Sequence, residues 1–156
     1  MNFLSPETTL PTPPAPVARV GAIIYLIYKD GLLGRPRLIE PTNDPAMVIS
    51  LLIGAPDPNE AAAGIRSGLS NSPDLIASVG IDGRIIMIDL SKSFADIQGG
   101  EQIFILGQIV LSLYAFDDID GIQFTLDGQA VSVLSPSGEA IDRLVTRSDF
   151  AVLLSR

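Results

Sequence analysis

The chain has 156 residues, 47% of them hydrophobic, with a formal net charge of −8 and neither cysteine nor histidine. Its size and apolar content fit one folded domain with a sizeable core, and the acidic balance disfavours nucleic acid and anionic membrane surfaces as partners. Without Cys or His there is no thiolate nucleophile, Ser-His-Asp triad or ordinary zinc site, so any chemistry must run on carboxylates, Lys, Tyr or a bound ion.

Residues 1–10 lack the basic and apolar regions of a signal peptide. The stretch SPETTLPTPPAP, residues 5–16, holds five of the twelve prolines and reads as an extended tether. The expected organisation is therefore a Pro/Thr-rich tether over residues 1–16 and a folded domain over 17–156.

From Val17 onward, β-branched and aromatic residues predict a strand at about 19–28, ended by an Asp30-Gly31 turn, and a weaker strand near 35–40. Asn43 or Thr42 is the expected cap of a helix with Pro45 in its first turn, apolar positions Met47, Val48, Leu51 and Leu52, and an end at Gly54. In the stretch LLIGAPDPNEAAAGIRSGLS, Asp57, Pro58 and Glu60 form a capping-box pattern that starts a second helix. Ala61, Ile65 and Leu69 are expected on one face of that helix, with Gly68 as its stop. The segment lacks the Lys-Ser/Thr ending of a phosphate loop and does not fit G-x-G-x-x-G, so it reads as punctuation rather than as a ligand cradle.

Residues 75–90 carry the clearest hairpin signal, two apolar runs around Asp82-Gly83, expected as a type I′ turn. A helix follows at about 101–116, with Glu101, Gln108 and Ser112 forming one narrow polar stripe on an otherwise apolar cylinder. Its apolar run, 103–116, falls short of the about 20 residues that span a bilayer. Residues 121–138 predict a strand, an Asp127-Gly128 turn, a partner strand and a further turn at Ser137-Gly138. A short closing helix, capped by Thr146 or Ser148, completes a single two-layer α/β domain in which a mixed or antiparallel sheet with hairpins packs against helices.

The acids offer two candidate groups. Asp117, Asp118, Asp120 and Gly121 match only a fragment of a calcium loop, and a solvated connection explains them as well. Asp82, Asp89 and Asp127 could supply the facing carboxylates of a hydrolase, yet Asp82 and Asp127 open Asp-Gly turns and Asp89 can cap the turn after its strand. Lys29, Lys92, Arg84, Arg143 and Arg147 form no basic stripe, and no Ser lies in a G-x-S-x-G elbow. Tyr25, Tyr28 and Tyr114 sit in apolar runs as core or rim residues. No catalytic, cofactor-binding or metal-ligating residue is assigned, and no cofactor is expected.

Taken together, five motifs resemble the GerMN domain of sporulation and spore-germination proteins. They are Leu-Leu-x-Gly with Pro at 51–56, E-x-x-x-G-I at 60–65, the hairpin and D-L-S at 79–91, Q-I-V at 108–110 and F-x-x-D-G at 124–128. The likeness covers roughly 18–153. Ala55 stands between Gly54 and Pro56 where the family pattern joins Gly to Pro, only one copy is present, and there is no lipobox Cys. The resemblance implies a fold similar to the ring-building modules of secretion and sporulation complexes. It also implies an extracytoplasmic, cell-envelope setting, often on lipoproteins, with an interaction or assembly role and no known catalysis. The expected partner is an envelope protein or a second copy of the chain, with no nucleic acid and a membrane only through a tether outside this sequence. Two rival readings stand beside it, a cell-wall glycan or peptide binder and a carboxylate-dependent hydrolase.

Overall fold

A computed structural model describes residues 18–154; the expected tether, 1–16, lies outside them. Strands β1 (Val20–Tyr28) and β2 (Gly31–Ile39) form a long hairpin, and the short β3 (Ile65–Arg66) pairs with the end of β1, giving a sheet in the order β2-β1-β3. The chain turns at Lys29-Asp30 rather than at Asp30-Gly31, because Tyr28 is opposite Gly31 and Lys29 takes φ +57. β2 accordingly starts earlier than the sequence suggests and runs through Pro36.

Helix α1 (Ala46–Gly54) follows, and here Asp44 rather than Asn43 or Thr42 covers the helix start, its carboxylate accepting from the Ala46 N–H at 3.0 Å. Thr42 instead accepts from the Asp44 N–H. Helix α2 (Pro58–Ala62) has the capping box expected of Asp57 and Glu60: the Glu60 N–H donates to Asp57 at 2.7 Å and the Asp57 N–H to Glu60 at 2.9 Å. It does not continue to Gly68. Gly64 adopts φ +85 and bonds back to the Ala61 carbonyl, and Ile65 enters β3 instead of a helix face. Asp57→Ala is expected to lower stability by about 1 kcal/mol, the usual cost of an uncovered helix start. Urea denaturation measures this, and an unchanged midpoint would show that the box is dispensable.

The second sheet runs β4 (Ile76–Asp82), β5 (Ile85–Leu90), β6 (Gly121–Leu126) and β7 (Gln129–Ala130), in that order. β4 and β5 are an antiparallel hairpin, whereas β5 and β6 are parallel, so the connection between them must cross over the sheet. Helix α3 (Gly99–Phe116) is that crossover. The β4–β5 turn is centred on Gly83-Arg84, one residue later than expected, with only Gly83 at positive φ, which fits a type II′ rather than a type I′ turn. Asp127 and Gly128 are both at positive φ, as a type I′ turn requires. The expected partner strand of β6 stops at Ala130; the chain then forms β8 (Val133–Leu134), which pairs with β9 (Ala140–Ile141) across the Ser137-Gly138 turn. Helix α4 (Arg147–Phe150) closes the fold, and its preceding Thr146 N–H donates to Asp149 at 2.8 Å.

Residues from both sheets and from α1, α3 and α4 share one core, which includes Leu26, Leu52, Ile86, Leu106, Ile109, Ile122 and Phe150. α3 is long and apolar enough to cross a bilayer by length and composition, but it lies inside this core, with residues Ile105 to Leu113 all buried. Close approach is secured by small residues. A Cβ on Gly107 would stand 2.6 Å from Leu32 Cδ1, and one on Gly68 2.5 Å from Ile105 Cγ1.

Candidate functional site

The acids proposed from sequence are dispersed by the fold and tied to local partners. Asp89, on β5, accepts from the Thr125 hydroxyl at 2.6 Å and from the Gly128 N–H at 2.9 Å, and these bonds hold its carboxyl below the usual range. It therefore fixes the β6–β7 turn, not the turn after its own strand as the sequence suggested. Asp127 lies 3.5 Å from the Lys92 ammonium. Asp118 and Asp120 share Arg84, at 3.2 and 3.0 Å, and the Asp120 N–H also donates to the Arg84 carbonyl. Asp117 bonds the Asp118 N–H. Asp82 is the exposed last residue of β4. Among the described residues no group of three acids is gathered as a metal site.

Sequence reasoning missed the most constrained charged group. Glu60 is 2% exposed and accepts from Arg37 twice, at 2.6 and 2.8 Å, and from Arg35 at 2.9 Å. Arg37, then Arg35 and the Asp57 N–H, outweigh the burial that opposes ionisation and hold its carboxyl down to about 2. The available signal was the i, i+2 spacing of Arg35 and Arg37, which puts both on one face of a strand. Both Glu60 oxygens are taken up by the two arginines and the Asp57 N–H, so the group is a brace between β2 and α2.

The polar stripe of α3 is the second surprise. Only Glu101 reaches the surface, where it pairs bidentately with Arg66. Gln108 and Ser112 are completely buried. Gln108 accepts from the Gly68 N–H at 2.9 Å and donates to the Tyr25 carbonyl at 3.1 Å and the Ser67 hydroxyl at 3.2 Å, while Ser112 accepts from the Tyr25 N–H at 2.9 Å. β3 pairs only with Ile27 and Tyr28, which leaves the Tyr25 backbone without a strand partner on that side. Two helix side chains supply the missing rungs.

Surface depressions are shallow. One, about 550 Å³, is bordered by Arg19, Leu38, Pro41, Thr42, Met47 and Leu51, and another of about 300 Å³ lies beside the Arg143–Asp149 ion pair. The second is lined by the acids Glu139, Asp142 and Asp149, of which Asp149 is held by Arg143, and no aromatic ring lines either depression. Tyr25, Tyr28 and Tyr114 pack half-buried against the core, as their sequence setting suggests.

The family model of Germane, described as sporulation and spore germination, matches residues 24–132. The chain belongs to this family. In three dimensions the Germane domain is similar to the first GerMN domain of the sporulation protein GerM from Bacillus subtilis, with a TM-score of 0.60 and 19% identity over 83% of this chain and 98% of that one. The tandem GerMN domains of the same protein match with a TM-score of 0.61 and 18% identity over 83% of this chain, which spans only 47% of the tandem chain. A candidate lipoprotein from Clostridium perfringens matches with a TM-score of 0.53 and 19% identity over 88% of this chain and 93% of that one. No curated protein matches in sequence. The expected GerMN character and mixed α/β architecture hold. At these identities the structural likeness extends to the fold alone, and the family supplies the association with sporulation and germination.

Proposed function

We propose that this Germane domain is a non-enzymatic interaction or assembly module of the bacterial cell envelope, acting outside the cytoplasm. The observation that carries the reading is the local commitment of the acids. Asp89 and Asp127 hold turns or a surface lysine, Asp118 and Asp120 share Arg84, and Glu60 is neutralised by two arginines. A hydrolase needs two carboxylates facing each other across a cleft at a defined separation. A glycan binder needs exposed rings on which sugar faces can rest. No ring lines the two depressions described above, and of the acids at the smaller one Asp149 is held by Arg143. The envelope setting draws on the family and on the likeness to a candidate lipoprotein. Interfaces of this kind concentrate energy in a few apolar or aromatic anchors.

Crosslinking in the native envelope followed by affinity capture of the domain is expected to recover a specific protein partner. In parallel, the purified domain is expected to show no turnover of glycan, peptide or ester substrates, so the substitutions Asp82→Asn, Asp89→Asn, Asp118→Asn, Asp120→Asn and Asp127→Asn would have no activity to abolish. Turnover lost through one of these changes in a folded protein would replace the interaction reading with the hydrolase.

A further inference from the structure

The two long edge strands are treated differently by the sequence. β2, the edge of the first sheet, carries Arg35, Pro36 and Arg37 in its middle. Because the Tyr25 N–H and C=O point away from β2 and towards α3, Ile23, two residues before Tyr25, points the same way. Pro36, opposite Ile23, therefore sits where no ladder donor to β1 is lost and instead removes a donor from the outer edge. Proline and charge are the usual devices that stop an edge from pairing with another chain.

β4, the edge of the second sheet, has neither, and its one irregularity is a shift in the pairing with β5 at Ala77, which leaves Ser78 to Asp82 in regular register. From Ile76 to Ile81 it reads Ile-Ala-Ser-Val-Gly-Ile, without Pro or charge, and Ala77, Ser78, Gly80 and Ile81 are exposed. Asp82 and Ile85 flank the two-residue turn and close it as a hydrogen-bonded pair, so Gly80 bonds towards β5 while Val79 and Ile81 direct their N–H and C=O groups outward.

We propose that β4 pairs antiparallel with β4 of a second copy about a twofold axis at Val79, joining two four-stranded sheets into one. This names the partner surface of the interaction role proposed above and rests on that reading. Charge favours this register. It sets Val79 against Val79 and Ser78 against Gly80 within the regular part of β4, so no charged side chain meets a like one. The two Asp82 residues are placed about 20 Å apart along the strands. The exposed Asp74 of each copy is brought towards Arg84 of the other; Arg84 holds Asp120 through Nε and Asp118 through NH2, which leaves its NH1 donors for the incoming carboxylate. A twofold contact of this kind is closed and ends at the dimer.

The natural absence of cysteine makes the test clean. In a hydrogen-bonded antiparallel pair the two Val79 Cα atoms lie about 5.5 Å apart, within disulfide reach. Val79→Cys is expected to form a covalent dimer under mild oxidation, whereas Asp82→Cys, far from its twin, is expected to remain monomeric. Sedimentation equilibrium of the full chain at about 0.15 M salt should show a reversible, concentration-dependent dimer. Ile81→Pro, which removes an outward donor from the edge, is expected to weaken it at least tenfold with the monomer fold retained by circular dichroism. If Ile81→Pro does not fold, the two cysteine variants decide alone. A chain that stays monomeric at several hundred micromolar, or a disulfide that forms in the Asp82→Cys variant in preference to the Val79→Cys variant, overturns the proposal. Capture of a different envelope protein by the same monomeric chain would leave the interaction role standing while removing this interface.

Discussion

Glu60→Ala is expected to be among the most destabilising single changes in the molecule, costing about 3–5 kcal/mol. The carboxylate is withdrawn from water and balanced by Arg37 and Arg35, whose side chains are 19% and 37% exposed. Removing it leaves Arg37 largely buried without its partner, uncovers the Asp57 N–H, and ends the brace between β2 and α2. The midpoint of thermal unfolding should fall by roughly 10 °C or more for a domain of this size. The same group sets an acid limit. Its carboxyl is depressed from 4.5 to about 2 in the folded chain, so its contribution is complete above about 4.5 and is lost as pH falls through the interval down to about 2. By linkage that contribution is about 3 kcal/mol. Urea midpoints measured between pH 6 and 2.5 should decline in the parent and decline less in Glu60→Gln. Parallel curves for the two proteins would remove Glu60 as the acid-sensitive element.

Gln108→Leu is expected to cost roughly 3 kcal/mol although it replaces a polar residue in a core helix with an apolar one of similar size. Hydropathy alone predicts a gain. The loss comes from the Gly68 N–H, the Tyr25 carbonyl and the Ser67 hydroxyl, each of which loses the bond it makes to this side chain. The Ser67 hydroxyl keeps its bond to the Leu52 carbonyl, so the two backbone groups carry most of the penalty. Ser112→Ala orphans only the Tyr25 N–H and should cost about 1 kcal/mol. Equal stability of Gln108→Leu and the parent would mean that water enters and satisfies those groups.

The sequence made the turns and caps legible because their causes are local. Asp57 and Glu60 are three residues apart, and Asp127-Gly128 is a complete type I′ signal in two residues. What it hid were consequences of distant contact. Gln108 and Ser112 look like a solvent stripe because nothing near them in sequence announces Tyr25, Ser67 or Gly68 as partners. β2 looked weak because Pro36 interrupts it, and only its edge position makes that proline harmless. Ile65 fits a helical spacing from Ala61 and became a strand residue because Gly64 takes a left-handed backbone that ends the helix. Asp127 lies in its turn and Asp118 and Asp120 in a connecting loop, as their sequence setting suggests, whereas Asp89 bonds the β6–β7 turn rather than the one after its own strand. Only the fold distinguishes a protected edge at β2 from an open one at β4.

The parallel β5–β6 pair has a consequence for the order in which the chain folds. The hairpins β1–β2 and β4–β5 close over two-residue turns and can form on the timescale of local events. β6 can join β5 only after the whole of α3 has been laid across the sheet, and the bonds from Gln108 and Ser112 to Tyr25 span 83 and 87 residues. Closing such loops costs entropy before any contact rewards it, so the docking of α3 onto β1 belongs late on the pathway. Stopped-flow measurements on Gln108→Leu should therefore show little change in the refolding rate and most of the lost stability as faster unfolding. The helix that joins the two sheets would then act as the latch that keeps the native chain from opening.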